Sequence, residues 1–148
     1  ARLILTSDLI CGFHVIDAQH RAILDLAEAA LLAAKAGDLA GTKQALTSLG
    51  DAIMGHFQAE EGLMNETTYP ERSRHKAAHD IFLQDYHQLV GEVEATGLCP
   101  PTLSWLSTRL PEWLKFHIQV NDLPLGRFLN ARRRSATPSS NEKKPRPS

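Results

Sequence analysis

Histidines and acidic side chains sit inside the apolar stripes of this 148-residue chain, a placement that a folded protein tolerates only when each such group has a partner. Glycine and proline divide the sequence into four long pieces of helical periodicity. The first runs from about Ala18 to Ala36 and stops at Gly37, the residue type that most readily supplies a left-handed helix end. The second opens at Asp38 and continues to about Asn65, with a stripe of Leu46, Leu49, Ile53, His56, Phe57, Glu60 and Met64. The third, from about Glu71 to Ala95, turns His75, His79, Phe82, Tyr86, Leu89 and Val93 to one side. Thr102 is expected to cap the fourth, whose apolar positions include Leu103, Leu106, Leu110, Trp113, Leu114 and His117. Pro111 removes a backbone donor there and predicts a kink or a restart.

No stretch alternates with the period of a strand, and the connections between pieces are short. Neighbouring helices joined this way run antiparallel, so the expected fold is all-α: an up-down-up-down four-helix bundle with a short N-terminal arm. The bundle is assigned to residues 1–130. Residues 131–148 hold Arg132, Arg133, Arg134, Lys143, Lys144 and Arg146 against Glu142, with no apolar residue larger than alanine. Such a segment buries too little surface to offset its ordering entropy, and it is expected to be a disordered tail or linker.

Composition narrows the function. The net charge of −1 combines that basic tail with an acidic body, which gives no support to nucleic-acid binding. No apolar run approaches the roughly 20 residues that cross a bilayer, so no membrane partner is expected. The opening Ala1–Leu5 is too short for a secretory signal. Cys11 and Cys99 lack redox or metal spacing and read as small hydrophobes in a reducing cytoplasm.

The polar residues on the stripes carry the chemistry. His56 with Glu60, and His75 with His79, are pairs four residues apart, so each pair reaches one point from one helix face. His20 and His117 lie on the other two helices, and Asp122 follows His117 by five residues. On a regular helix that offset separates two side chains by roughly 140°. A π-bulge, favoured by Pro124, is expected to bring Asp122 inward. Five imidazoles and two carboxylates exceed what one tetrahedral ion uses, and they predict two metals with Glu60 and Asp122 between them. Glu61 lies about 100° around the helix from Glu60 and is expected to face water. His14 and His87 fall off the metal face.

With these segments in view, the chain resembles the hemerythrin family, specifically the bacterial hemerythrins. The resemblance rests on Ile16–His20, His56–Met64, His75–His79 and Trp113–Ile118 followed by Asp122, and spans Gly12 to about Leu129. It implies two iron ions joined by an oxo or hydroxo group. One would be held by His75, His79 and His117, the other by His20 and His56, with Glu60 and Asp122 bridging. It further implies that dioxygen binds reversibly at the open position of the two-histidine iron, in a pocket walled by Phe57, Met64, Trp113 and Leu114. The expected role is oxygen storage, delivery or sensing rather than enzymatic turnover. The alternatives are a di-iron enzyme acting on nitric oxide or peroxide, and a sensory module acting on a partner domain through the tail. The Glu-x-x-His pairs of oxygen-activating bundles are absent from the metal face, which favours reversible binding.

Overall fold

Helix ends decide the topology. The computed structural model of the chain describes residues 5–141, with side chains through Arg134. Helix α1 (His14–Lys35) closes on Gly37 at φ +74°, where the amides of Gly37 and Asp38 return to the carbonyls of Ala34 and Ala33. Asp38 then caps α2 (Leu39–Glu66), its Oδ1 accepting from the Gly41 amide at 2.9 Å. Helix α3 (Arg72–Thr96) ends at Gly97, again at positive φ. The fourth arm is one rod of three α-helices joined by two π-turns: α4 (Pro100–Ser104), Trp105–Arg109, α5 (Leu110–His117), Ile118–Asp122 and α6 (Leu123–Asn141). Among the described residues there is no strand, and the antiparallel all-α bundle is as expected. None of these helices is long and apolar enough to cross a membrane.

The two π-turns share a local cause. In each, an amide reaches back five residues, Leu110 to the Trp105 carbonyl and Leu123 to that of Ile118. Each is followed at once by a proline, Pro111 and Pro124, which cannot donate to the α-helical ladder. Pro111 therefore marks a restart without a break in the rod. The arm begins at Pro100, earlier than a Thr102 cap predicts. Prolines suit the first helical positions, and Thr102 lies buried in the first turn with its hydroxyl 3.3 Å from Cys99 Sγ.

Helix α6 also continues past Ala131, where the tail was expected to begin. Alanine and arginine are good helix formers, and Arg132 and Arg133 lie over the rings of Phe128 and Phe13 at 5.9 and 5.3 Å. Residues 142–148, the rest of that expected tail, lie outside the described residues.

The N-terminal arm is clamped onto the bundle. The Asp17 carboxylate accepts from the amides of Cys11 and Gly12 at 2.9 and 3.0 Å, and Leu9 packs with Ile118 and Leu123 at the second π-turn. This seat needs a glycine at 126, because a β-carbon there would lie 2.5 Å from Cβ and Sγ of Cys11. Gly126→Ala is expected to destabilise the protein by about 1–3 kcal/mol. Urea unfolding should show a lower midpoint at unchanged slope.

Two apolar clusters leave a polar layer between them. The larger holds Ile23, Leu24, Ile53, Phe57, Phe82, Tyr86, Leu110 and Leu114 among others; the smaller holds Ile16, Met64, Tyr69, Leu125 and Leu129. Along α1, His20 falls between Ile16 and Ile23; along α2, Glu60 falls between Phe57 and Met64. Apolar side chains flank the layer on both sides, so the groups at its centre have mainly each other, or a bound ion, for partners.

Candidate metal centre

All seven predicted ligands meet in that layer, and all are buried, Glu60, His79 and Asp122 completely. Each helical arm delivers its share: α1 gives His20, α2 gives His56 and Glu60, and α3 gives His75 and His79. The fourth arm gives His117 and Asp122 from either end of the second π-turn. The extra residue in that turn rotates Asp122 inward, as the five-residue offset required.

The side chains divide into two overlapping groups. Glu60, His75, His79, His117 and Asp122 present ligand atoms within 4.8 Å of one another, and so do His20, His56, Glu60 and Asp122. The two carboxylates belong to both. Asp122 Oδ2 lies 2.6 Å from His20 Nε2 and 3.1 Å from His56 Nε2, while Oδ1 lies 3.0 Å from His75 Nε2 and 3.3 Å from His117 Nε2. Glu60 Oε1 lies 3.0 Å from His79 Nε2, 3.2 Å from His75 Nε2 and 3.4 Å from His56 Nε2. Thus every imidazole turns Nε2 toward the centre.

Behind two of the rings, acceptor oxygens fix the tautomer, and a third side chain stands behind His117. His79 Nδ1 donates to Glu61 Oε2 at 2.9 Å, and His56 Nδ1 donates to Gln19 Oε1 at 2.6 Å. Asn121 stands behind His117, its amide nitrogen 3.2 Å from Nδ1, with its Oδ1 accepting from Arg74. Sequence reading missed all three, and it placed Glu61 toward water. Glu61 is 27% exposed, but its inner oxygen serves His79. Carboxylates and amides behind ligating histidines are the rule in metal sites, and that rule was the available signal.

These hydrogen bonds test whether a cation fits. Burial, reinforced by the neighbouring His117 and His75, pushes His79 down to about 2, so its ring is neutral and carries one N–H. That proton is committed to Glu61, which leaves the Nε2 lone pair facing Glu60 Oε1, acceptor against acceptor. His56 is also held below its ordinary value by burial, and it repeats the pattern with Gln19 behind and Asp122 in front. Glu60 Oε2, Asp122 Oδ1 and His117 Nε2 are buried without a hydrogen-bond partner among the described residues. His117 Nε2 and Asp122 Oδ1 are close yet make no hydrogen bond, the arrangement of two ligands aimed at a common point. Burial and the adjacent Asp122 push Glu60 well above the carboxylate range. Burial would raise Asp122 too, but the facing His117, His20 and His56 hold it well below that range. A proton on Glu60 thus takes the place that a cation would fill. The donor set, imidazole nitrogens with shared carboxylate oxygens, suits a transition metal.

A small cavity of about 10 Å3 adjoins His20, His56, His117 and Asp122, at the limit of what admits one water-sized molecule. Its remaining wall is apolar: Ile23, Ile53, Phe57, Trp113, Leu114 and Ile118. Phe57, Trp113 and Leu114 were expected at such a pocket; the three isoleucines were not. Met64 is absent from this wall. It lies beyond the polar layer in the smaller cluster and borders a separate surface pocket of about 330 Å3 with Glu61, Arg72 and Lys76. One turn past Glu60, Met64 is already on the far side of the ligands. His14 and His87 are exposed and remote from the layer.

Comparison with known proteins agrees with this geometry. The family model of the hemerythrin HHE cation binding domain matches residues 11–128. The bacteriohemerythrin of Stenotrophomonas maltophilia (strain R551-3) is 32% identical over 123 residues, covering 82% of this chain and 78% of that protein. The bacteriohemerythrin of Pseudomonas aeruginosa (strain LESB58) is 29% identical over 122 residues with the same coverage. A hemerythrin-like protein of Naegleria gruberi is 32% identical over 81 residues, covering 53% of this chain and 58% of its own. With the family match spanning the bundle, the chain belongs to the hemerythrin HHE cation-binding family.

Proposed function

We propose that the chain holds two iron ions in the polar layer and binds dioxygen reversibly at the position of His20 and His56. The observation that carries this reading is the inequality of the two ligand groups. Three histidines serve one group and two serve the other, with Glu60 and Asp122 common to both. The poorer group therefore keeps room for an added ligand, as working metal sites do. The small apolar cavity adjoins His20 and His56 of that group. Bound there, a pair of ferrous ions would supply the electrons that dioxygen takes up reversibly.

The protein's own side chains do the rest. Glu60 and Asp122 place negative charge between the two cations and lower their repulsion. Gln19 and Glu61 keep the inner nitrogens of His56 and His79 free to ligate. Phe57, Trp113, Leu114 and the three isoleucines exclude water, which protects a reduced centre from irreversible oxidation. The two free cysteines are in keeping with a reducing, cytoplasmic setting.

Iron-loaded protein kept reduced under inert gas is expected to be colourless. Admitting air should produce a visible band that fades when oxygen is removed, through repeated cycles. His20→Ala should abolish the band while leaving the three-histidine position able to hold an ion. An absent band, or steady turnover of peroxide or nitric oxide, would replace this reading with a structural or enzymatic one.

A further inference from the structure

The two ligand groups differ behind the rings as well as in front of them. Resting on the two-metal reading above, we infer that Glu61 sets the positions apart: its charge makes the three-histidine position the tighter one, filled first. Gln19 holds the two-histidine position with a neutral amide. Both residues act through a histidine and touch no ion themselves, so both are positioning residues.

The geometry is specific. His79 is fully buried, and its ring is trapped between two constraints: it stacks on Phe57 at 3.7 Å and 9°, and its Nδ1–H is bound to Glu61 at 2.9 Å. The ring therefore has one orientation and one tautomer, with Nε2 toward Glu60. A carboxylate behind an imidazole draws the Nδ1 proton toward itself and raises the donor strength of Nε2. On the other side His56 Nδ1 meets the Gln19 amide oxygen at 2.6 Å, which fixes the same tautomer without adding charge. The Nδ1 atoms of His75 and His20, one in each group, have no partner among the described residues, so they do not offset the contrast. Glu61 is 27% exposed, so the carboxylate behind this buried ring also meets water.

Cobalt(II), a divalent probe with visible bands, separates hydrogen bond from charge when titrated into the metal-free protein. The unmodified chain should take up two ions in two resolved steps. Glu61→Gln keeps an oxygen for His79 Nδ1–H but removes the charge, and it should weaken the first step by about 10-fold. Glu61→Ala removes both, and the loss should approach 100-fold. In neither variant should the second step move by more than about two-fold. Gln19→Glu should strengthen the second step and narrow the gap. Each variant is also read by the cobalt spectrum and by the midpoint potential of the iron-loaded protein, which Glu61→Gln should raise and Gln19→Glu should lower. Two-ion binding with unchanged steps and potentials in Glu61→Gln would overturn this inference and leave the oxygen-binding proposal standing. Uptake of a single ion by the unmodified chain would overturn both.

Discussion

Asp122→Asn is expected to reduce metal binding from two ions per chain to one at most, weakening uptake by at least about 100-fold, more than the loss typical of a residue behind a ligand. Asp122 is fully buried and stands within 3.3 Å of the Nε2 atoms of four histidines drawn from both ligand groups. Glu60 reaches three. The asparagine keeps the shape but replaces one acceptor oxygen with an N–H pair aimed at the cations, and it removes a negative charge from between them. The bundle itself should persist, because the larger apolar cluster lies to one side of the layer and each of its buried leucine, isoleucine and phenylalanine side chains contributes about 1.5–3 kcal/mol. Metal analysis after dialysis reads the stoichiometry, and far-ultraviolet circular dichroism reads the helix content. Two retained ions in Asp122→Asn would remove Asp122 from the ligand set.

Stripping the metal should lower stability by several kcal/mol without unfolding the chain. An ion that binds only the folded form at about 1,000 times its dissociation constant contributes about 4 kcal/mol. The metal-free protein should also lose stability as the pH falls below 6.5. His79, pushed down to about 2 by burial, stays neutral when folded, so the unfolded chain takes up a proton it does not; stability falls as the pH drops below 6.5. His56 acts in the same direction, and Asp122 adds a further loss below about 3.8. Glu60 has the opposite sign. Its folded value lies well above the ordinary 4.5, so it favours the folded state at low pH and loses that contribution as pH rises toward the folded value. Above 6.5 His79 and His56 add no further change. Metal removes the Glu60 contribution by replacing the proton on Glu60. Urea unfolding across pH 4–9 should therefore show the metal-free protein losing stability on the acid side of 6.5, with the raised Glu60 opposing that loss until metal replaces its proton. A metal-free profile that climbs steadily to pH 9 contradicts a protonated Glu60.

Most of the candidate site was legible because its histidines and carboxylates lie on helices whose spacing is fixed. His56 with Glu60, and His75 with His79, are determined by a four-residue step on one face. Asp122 needed a distortion, and the proline after Leu123 announced it. The same logic was not extended from Pro124 to Pro111, where a second π-turn keeps the fourth arm a single rod. Glu61 and Gln19 were missed for another reason. Gln19 and Glu61 join residues of different helices, and helical periodicity says nothing about which helix stands behind a ring. Met64 shares its stripe with Glu60 yet lies past the ligand layer, because a stripe gives a direction and not a depth.

On the two-metal reading, one polar layer holds two ions unequally, three histidines on one side and two on the other. Anomalous diffraction from crystals of the iron-loaded protein tests it directly. The predicted map has two iron peaks, one among His75, His79 and His117 and one beside His20 and His56, with Glu60 and Asp122 touching both. A single peak, or a second peak outside the layer, would contradict it.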